Sequence, residues 1–450
     1  MNDTIAAIST AIGVGGISII RLSGSNAIPI ASKCFTGKDL NTVPTHTINY
    51  GYIKDKDEII DEVLVTVMKA PKTYTTEDIV EINCHGGLVP TRRILETVLN
   101  NGARLAEPGE FTKRAFLNGR IDLVKSEAIM DIIQSKSDEA RKLAISQIKG
   151  STSELIENFR NRLMNLLSSI EVNIDYPEYY DIEVVTKEKI KSNLDEMQQE
   201  LEKLIKESND SKIIKNGIKT VIIGKPNVGK SSILNKLLEQ DKAIVTDIAG
   251  TTRDIVEGEI YLNGILLNII DTAGIRETAD KVEKIGVTKS LDAMKNADLV
   301  IVVLNSNEKL AKEDKEILEQ SANKTRIVVL NKNDLPKQID LPANIENVIE
   351  TNTNSSAGIA TLKDKIKEMF NLGEISNKDY TYLSNARQIS LAKKAYKNME
   401  DASNALKEDM PVDLIAIDLK ECFDTLGEII GVTYSDEIID NLFENFCVGK

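Results

Sequence analysis

The residues Gly224-Lys225-Pro226-Asn227-Val228-Gly229-Lys230-Ser231 match the spacing G-x-x-x-x-G-K-[ST]. A glycine-rich turn of this kind exposes successive backbone N–H groups. A helix beginning at its end adds the partial positive charge of its N-terminus, and the combination suits a phosphate chain. In such a loop Lys230 reaches the β- and γ-phosphates and the Ser231 hydroxyl ligates Mg2+. The elements that must position the loop are legible on either side. Thr220-Val221-Ile222-Ile223 reads as the strand before it, and Ser231 to Leu238 as the helix after it.

Three more elements follow the same logic. Asp271-Thr272-Ala273-Gly274 ends an apolar strand, so that Asp271 can meet a metal through water and the Gly274 N–H can face a γ-phosphate. Asn331-Lys332-Asn333-Asp334 ends another. Asp334 carries an acceptor-only carboxylate, which pairs with the N1–H and 2-amino group of guanine and finds no matching donors on adenine. Thr251-Thr252-Arg253-Asp254 lies between the first two motifs, with Thr252 as second metal ligand. In this order the set predicts GTP binding and hydrolysis.

Two places depart from the common GTPase pattern. The turn that should meet guanine O6 reads Asn352-Thr353-Asn354 ahead of Gly358, where a Thr353 backbone N–H can still serve. The position that carries a water-orienting Gln in Ras-like proteins is Ile275, which neither donates nor accepts. Another group must orient the water. Glu283 is one candidate, although by spacing alone it reads as a solvated helix charge beside Lys281 and Lys284. No arginine finger is evident: Arg253 and Arg276 are nearby in sequence but read as surface charges. A monovalent cation held by Asn227 and by loop oxygens of residues 246–251 would supply the missing positive charge.

The elements around this site fall into three textures. At 450 residues the length suggests about three domains. Residues 1–118 mix short β-rich runs (Gly16 to Ile20, Glu62 to Val67, Asp78 to Ile82) with one helical stretch, Pro90 to Leu99, and predict an α+β domain. Residues 119–212 are helical, with Leu155, Phe159, Leu163, Leu166 and Ile170 forming an apolar stripe and a second helix from Lys187 to Glu207. Residues 213–376 alternate buried-type strands with helices, the pattern of an α/β P-loop (Ras-like) G domain. Helical texture returns over 377–450, with Ile389, Ala392, Ala395, Tyr396 and Met399 on one face. A G domain inserted into an all-α domain explains the flanking likeness; two separate helical domains are the alternative.

Composition excludes other classes. The 70 acidic against 56 basic side chains leave a net charge of −14, which argues against a free-standing nucleic-acid coat. Four cysteines (Cys34, Cys84, Cys422, Cys447) and two histidines (His46, His85) build neither a disulfide framework nor a His/Cys zinc site. Cys84 and His85 are adjacent, and neighbouring strand residues point to opposite faces, so they are poor catalytic partners. With no signal-like N-terminus and no long apolar run, the expectation is a cytoplasmic protein without a membrane span.

Nearly the whole chain resembles the MnmE (TrmE) family of tRNA-modification GTPases. The likeness rests on Asp3-Thr4-Ile5-Ala6-Ala7, Gly15-Gly16-Ile17, Arg21-Leu22-Ser23-Gly24, Glu81 to Gly87, Pro108 to Gly119 and the closing Phe446-Cys447-Val448-Gly449-Lys450. The resemblance implies an N-terminal domain that dimerises and binds a tetrahydrofolate one-carbon donor through Arg21, Glu81, Arg120 and Lys450. Cationic groups suit the glutamate tail of a folate, and a carboxylate suits its pterin donors. It implies K+ on Asn227, Thr246, Ile248 and Thr251, Mg2+ on Ser231 and Thr252, and Glu283 as the group that orients water. GTP contacts would run along Asn227, Val228, Gly229, Lys230, Ser231 and Ser232. They would continue along Thr246, Asp247, Ile248, Ala249, Gly250, Thr251 and Thr252, then Asp271, Thr272, Ala273 and Gly274, then Asn331, Lys332 and Asp334.

The reaction so implied is modification of C5 of the wobble uridine in certain tRNAs, in a heterotetramer with an MnmG-type FAD-binding partner, the partner holding most of the tRNA. Cys447 has either a part in that modification or none. The competing function is a ribosome-assembly or translation-type regulatory GTPase. Such proteins append a basic or Gly-x-x-Gly RNA-binding module, whereas Glu421 to Lys450 is acidic and helical.

Overall fold

The computed structural model describes residues 3–175, 187–240, 256–262, 265–270, 294–352, 357–370 and 382–450. The chain divides into two compact units. One comprises Met1–Met130, Gln147–Gln198 and Ser390–Lys450, and the other Asp131–Ser146 and Gln199–Ile389.

The first unit opens with seven strands, β1 (Ile5–Ile8), β2 (Ser18–Ser23), β3 (Phe35–Thr36), β4 (Thr47–Asp55), β5 (Glu58–Met68), β6 (Ile79–Cys84) and β7 (Arg104–Leu105). They form one sheet in the order β3-β4-β5-β6-β2-β1-β7. Every pairing is antiparallel except β1 with β7. Helices α1 (Ala27–Cys34) and α2 (Leu88–Asn100) supply Ile28, Ile30, Ile94 and Val98 to one face, where they meet Ile20, Leu22, Val80 and Ile82. Each such side chain contributes roughly 1.5–3 kcal/mol by leaving water. Because side chains alternate along a strand, the intervening Arg21 and Glu81 are sent to the opposite face. They lie directly across from each other in the β2–β6 register.

That opposite face is covered by α3 (Glu110–Leu117). Its Phe111 packs with Ile5, Ala7 and Ala106 and with the half-buried Tyr74. Arg114 on the same helix is 1% exposed and pairs with Asp3 (2.7 Å), Glu77 (3.1 Å) and Glu110 (2.9 Å). A guanidinium so deep is tolerable only because its donors are taken by carboxylates. Burial alone would raise the Asp3 pKa, but hydrogen bonds and charge from Arg104 and Arg114 outweigh it and bring it to about 2. The network fixes α3, and with it the aromatic floor beneath Arg21.

The helical part of this unit pairs Ser151–Asp175 with Val412–Ile430. Phe159, Leu163, Leu166 and Ile170 are buried as the stripe requires, joined by Ile156 and Leu167, while Leu155 is half-buried. The Arg160 guanidinium lies 4.3 Å from the Phe423 ring centre across this pair. Phe116, Leu123, Met130, Ile439, Phe443 and Phe446 form a smaller core that brings the C-terminal segment to α3.

The second unit is built on β8 (Ile218–Ile223), β9 (Val256–Leu262), β10 (Ile265–Ile270), β11 (Leu299–Asn305), β12 (Arg326–Asn331) and β13 (Val348–Glu350). Their order is β13-β12-β11-β8-β10-β9, parallel except where β9 turns back on β10. Every residue of β10 and β11 is buried, as expected of strands covered on both faces. Strand β8 lies between β11 and β10, so its carboxyl end opens where the connections diverge to either side, the usual crevice for a ligand in such sheets.

Some elements were not anticipated from pattern. Strand β9 carries Gly258 and two glutamates, which hide its strand character; Glu259 is nonetheless 7% exposed and paired with Lys136. The helix from Lys187 continues to Asn216, past its expected end near Glu207. Among the described residues, no helix is long and apolar enough to cross a membrane.

Candidate functional site

The phosphate loop leaves the carboxyl end of β8 and runs into the helix Lys230–Gln240. Its shape depends on two glycines. Gly224 has φ +155°, and a Cβ there would lie 2.3 Å from the Val303 carbonyl of β11. Gly229 has φ +97°, and a Cβ there would meet Asn331 Nδ2 at 2.1 Å. Only a residue without a side chain fits either place. Asn227, exposed at the turn, adopts φ 62°, in the left-handed region that Asn tolerates better than most residues.

The expected base-reading motif reaches the loop from β12. Asn331, 1% exposed, donates Nδ2 to the Val228 carbonyl at 2.8 Å. Lys332 donates Nζ to the Asn227 carbonyl at 3.1 Å. Asp334 is exposed beyond them, free of the strand. Thr351 bonds through its hydroxyl to Asn331 Oδ1 at 3.4 Å, and its carbonyl accepts from the Asn333 N–H at 3.2 Å. The segment entering Asn352-Thr353-Asn354 therefore lies against the Asn331–Asp334 turn. Lys230 rests on the loop itself, donating to the carbonyls of Gly224 and Lys225, both at 2.8 Å. Burial lowers its pKa. An ammonium held on neutral carbonyls in this way is placed to exchange them for phosphate oxygens.

Ser231 and Ser232 form the first turn of the following helix, where a metal-ligating hydroxyl belongs. The remaining expected nucleotide and cation positions lie outside the described residues: Thr246, Asp247, Ile248, Ala249, Gly250, Thr251, Thr252, Asp271, Thr272, Ala273, Gly274 and Glu283. Ile275, Arg253, Arg276, Thr353 and Asn354 do as well. Among the described residues, no group of three or more His, Cys, Asp and Glu side chains could hold a metal.

A second constellation forms in the other unit. Arg21 meets Glu81 through Nε and Nη2, both at 2.8 Å. Its Nη1 donates to the Gly449 carbonyl at 3.2 Å. Tyr74 has two guanidiniums near its ring, with Arg120 4.6 Å and Arg21 5.9 Å from its centre, distances at which the ring face attracts a cation. The Tyr74 hydroxyl shares a 2.8 Å hydrogen bond with Thr112 of α3. Lys450 is near enough that Arg21, after burial, helps to lower its pKa.

The C-terminal segment is docked rather than trailing. Val448 bridges Pro108, the Gly109 N–H donates to the Cys447 carbonyl at 3.2 Å, and Ser9 donates to the Gly449 carbonyl at 3.0 Å. Cys447 itself is exposed. Arg21 and Arg120 thus lie near the Tyr74 ring, with Glu81 bonded to Arg21 and Lys450 close enough to Arg21 to feel its charge. Motif reading does not reach Tyr74 or Ser9, each an ordinary loop residue until the fold assembles them; Phe111 lies inside the Pro108–Gly119 motif but takes its role only from the packing of α3. Two guanidiniums and one ammonium as donors, with one carboxylate as acceptor and an aromatic ring beside the guanidiniums, suit a flat heterocycle carrying carboxylates.

The phosphate loop on a central strand of a mostly parallel sheet, in a chain with α+β and helical parts, defines a multidomain P-loop GTPase. A family model for the MnmE helical domain matches residues 123–447, and one for the GTP-binding protein TrmE N-terminus matches residues 4–120. Over its whole length the chain is 52% identical to the tRNA modification GTPase MnmE of Streptococcus thermophilus (strain CNRZ 1066), the alignment taking in 98% of that relative. It is 50% identical to the protein of the same name from Ligilactobacillus salivarius (strain UCC118), covering 100% of this chain and 98% of that one. The corresponding protein of Streptococcus mutans serotype c is 51% identical, covering 100% and 99%. The chain belongs to the MnmE (TrmE) family of tRNA modification GTPases.

Proposed function

We propose that the chain is a potassium-stimulated GTP hydrolase of tRNA modification. It acts with a flavin-binding, MnmG-type partner at C5 of the wobble uridine of certain tRNAs, adding an aminomethyl- or carboxymethylaminomethyl-type group. A tetrahydrofolate derivative supplies the carbon and the partner's flavin the electrons. The observation that supports this reading is the grouping of Glu81, Lys450 and Tyr74 about Arg21, with Arg120 on the same Tyr74 ring, in a chain that also holds an intact phosphate loop. Neither half alone distinguishes tRNA modification from a regulatory switch.

In this reading Arg21, Arg120 and Lys450 bind the carboxylates of the folate, and Glu81 accepts from its pterin donors. Lys230 leaves its loop carbonyls to neutralise charge on the β- and γ-phosphates. Ser231 and Thr252 hold Mg2+; Asn227, Thr246, Ile248 and Thr251 hold K+, which takes the place of an arginine finger; Glu283 orients the water. The domains are 1–118 for folate binding and dimerisation, 119–212 and 377–450 for the split helical domain, and 213–376 for the G domain. The protein works in the cytoplasm as a homodimer within a heterotetramer, with most of the tRNA affinity in the partner, consistent with a net charge of −14.

Mass analysis of tRNA nucleosides from cells lacking the protein tests the central claim. The expected result is loss of the modified wobble uridine; unaltered wobble uridines would sink it. The cation claim is separate: phosphate release runs faster in KCl than in NaCl at equal ionic strength, and equal rates remove K+ from the mechanism.

A further inference from the structure

Lys225 follows the first glycine of the phosphate loop and has no part in the phosphate chemistry derived above. Its ammonium reaches away from the loop, to Asp314 Oδ2 at 2.9 Å and Glu308 Oε2 at 3.7 Å. Asp314 belongs to the first turn of the helix Lys312–Gln320, and its side chain is 5% exposed. The same Oδ2 accepts the Ala311 N–H at 3.0 Å. A carboxylate at that depth is costly without a charge partner, and Lys225 is the ammonium beside it. Asp314 in turn holds the Lys225 pKa above its ordinary value.

The backbone of Lys225 does a different job. Its carbonyl, with that of Gly224, receives the Lys230 ammonium. Gly224 is itself wedged against Val303 of β11. The turn that parks Lys230 is therefore held at one end by β11 and at the other by a half-buried ion pair to the helix Lys312–Gln320. Cutting that pair frees the Lys225 peptide to rotate, which moves both a carbonyl that holds Lys230 and the N–H groups that follow it in the cradle.

We propose that Asp314 is a positioning residue of the nucleotide site: acting through Lys225, it keeps the first turn of the phosphate loop in the shape that receives a triphosphate. It sets GTP affinity rather than the rate of the chemical step. The inference deepens the nucleotide reading of this loop and rests on it.

The test uses the full chain, titrated with a fluorescent GTP analogue and assayed for phosphate release across GTP concentration. Asp314→Asn and Lys225→Met each raise Kd and KM by about tenfold, the scale of coupling between residues in contact, with kcat held within about twofold. The double variant is no weaker than either single one, because both break the same pair. Lys225→Arg keeps the ion pair and restores affinity. Unchanged affinity in the single variants, or losses that add in the double variant, overturns the inference while leaving the GTP reading standing. Asp314→Asn also disturbs the bond to Ala311; should it fail to fold, Lys225→Met decides alone, since it leaves that bond intact. Absence of GTP binding by the unaltered chain would refute the nucleotide reading and the inference with it.

Discussion

In the function proposed above, the phosphate loop and the Tyr74 constellation both hold an anion, and they are built for it in opposite ways. The loop uses consecutive residues, Gly224 to Ser231, and mostly backbone; two glycines and the start of one helix set its shape. The constellation uses side chains from β2, β6, two loops and the last residues of the chain, and it has no shape until α3 and the C-terminal segment dock. A backbone cradle is a local property of sequence. A side-chain cradle is a property of topology, and it fails when a distant segment is displaced.

The largest expected effect lies on the local site. Lys230→Ala removes the ammonium parked on the Gly224 and Lys225 carbonyls and should lower phosphate release at saturating GTP by on the order of 10²–10³-fold, as loss of a single preorganised charge does. Folate affinity should not move. A loss below tenfold would mean that the lysine serves as a tie within the loop and contributes little to charge neutralisation.

The distributed site has a different weak point, the tail. Gly449 has φ +90°, and a Cβ there would stand 2.4 Å from the Ile8 carbonyl. Gly449→Ala should therefore push the tail off β1, breaking the bonds from Ser9 and Arg21 to the Gly449 carbonyl. Strain of this kind is worth about 1–3 kcal/mol. The expected result is a roughly tenfold weaker affinity for a tetrahydrofolate derivative in a binding titration, with GTP turnover unchanged. If GTP turnover falls instead and folate binding holds, the tail is not part of this constellation.

This contrast also accounts for what could be read in advance. The phosphate loop, its flanking strand and helix, and the Asn331–Asp334 motif were legible because each is a short run whose chemistry is local. Arg21 and Glu81 alternate with core residues on their strands, so their face was implied, but nothing in either strand says that the two are cross-strand neighbours. Register does that, and register is a tertiary property. Tyr74 sits in a run of threonines with no periodicity to mark it, and acquires meaning only beside Arg21 and Arg120. The Lys225–Asp314 pair spans 89 positions between two ordinary-looking charges, Lys225 in a loop and Asp314 in an acidic helix start.

The smallest effect concerns Cys84 and His85, adjacent in sequence and divided by the fold. Cys84 is buried at the end of β6, donating Sγ–H to the Ser18 carbonyl at 3.4 Å, and burial raises its pKa. His85 lies just beyond the strand with 68% of its side chain exposed. Asp61 grips it twice, accepting from Nδ1 at 2.7 Å and from the backbone N–H at 2.8 Å. That hydrogen bond, and then the charge of Asp61, raise the His85 pKa above its ordinary 6.5. A raised histidine pKa stabilises the fold fully below 6.5, and the contribution fades as pH rises through the folded value. In an NMR titration Asp61→Asn should lower the His85 midpoint toward 6.5. The difference in thermal midpoint between the native chain and Asp61→Asn should shrink as pH rises from 6.5 through the raised folded-state pKa of His85, as an exposed pair loses its charge. It should not vanish, because the bond from the His85 backbone N–H does not titrate. A difference that stays constant with pH would show that the backbone bond is the whole of what Asp61 contributes.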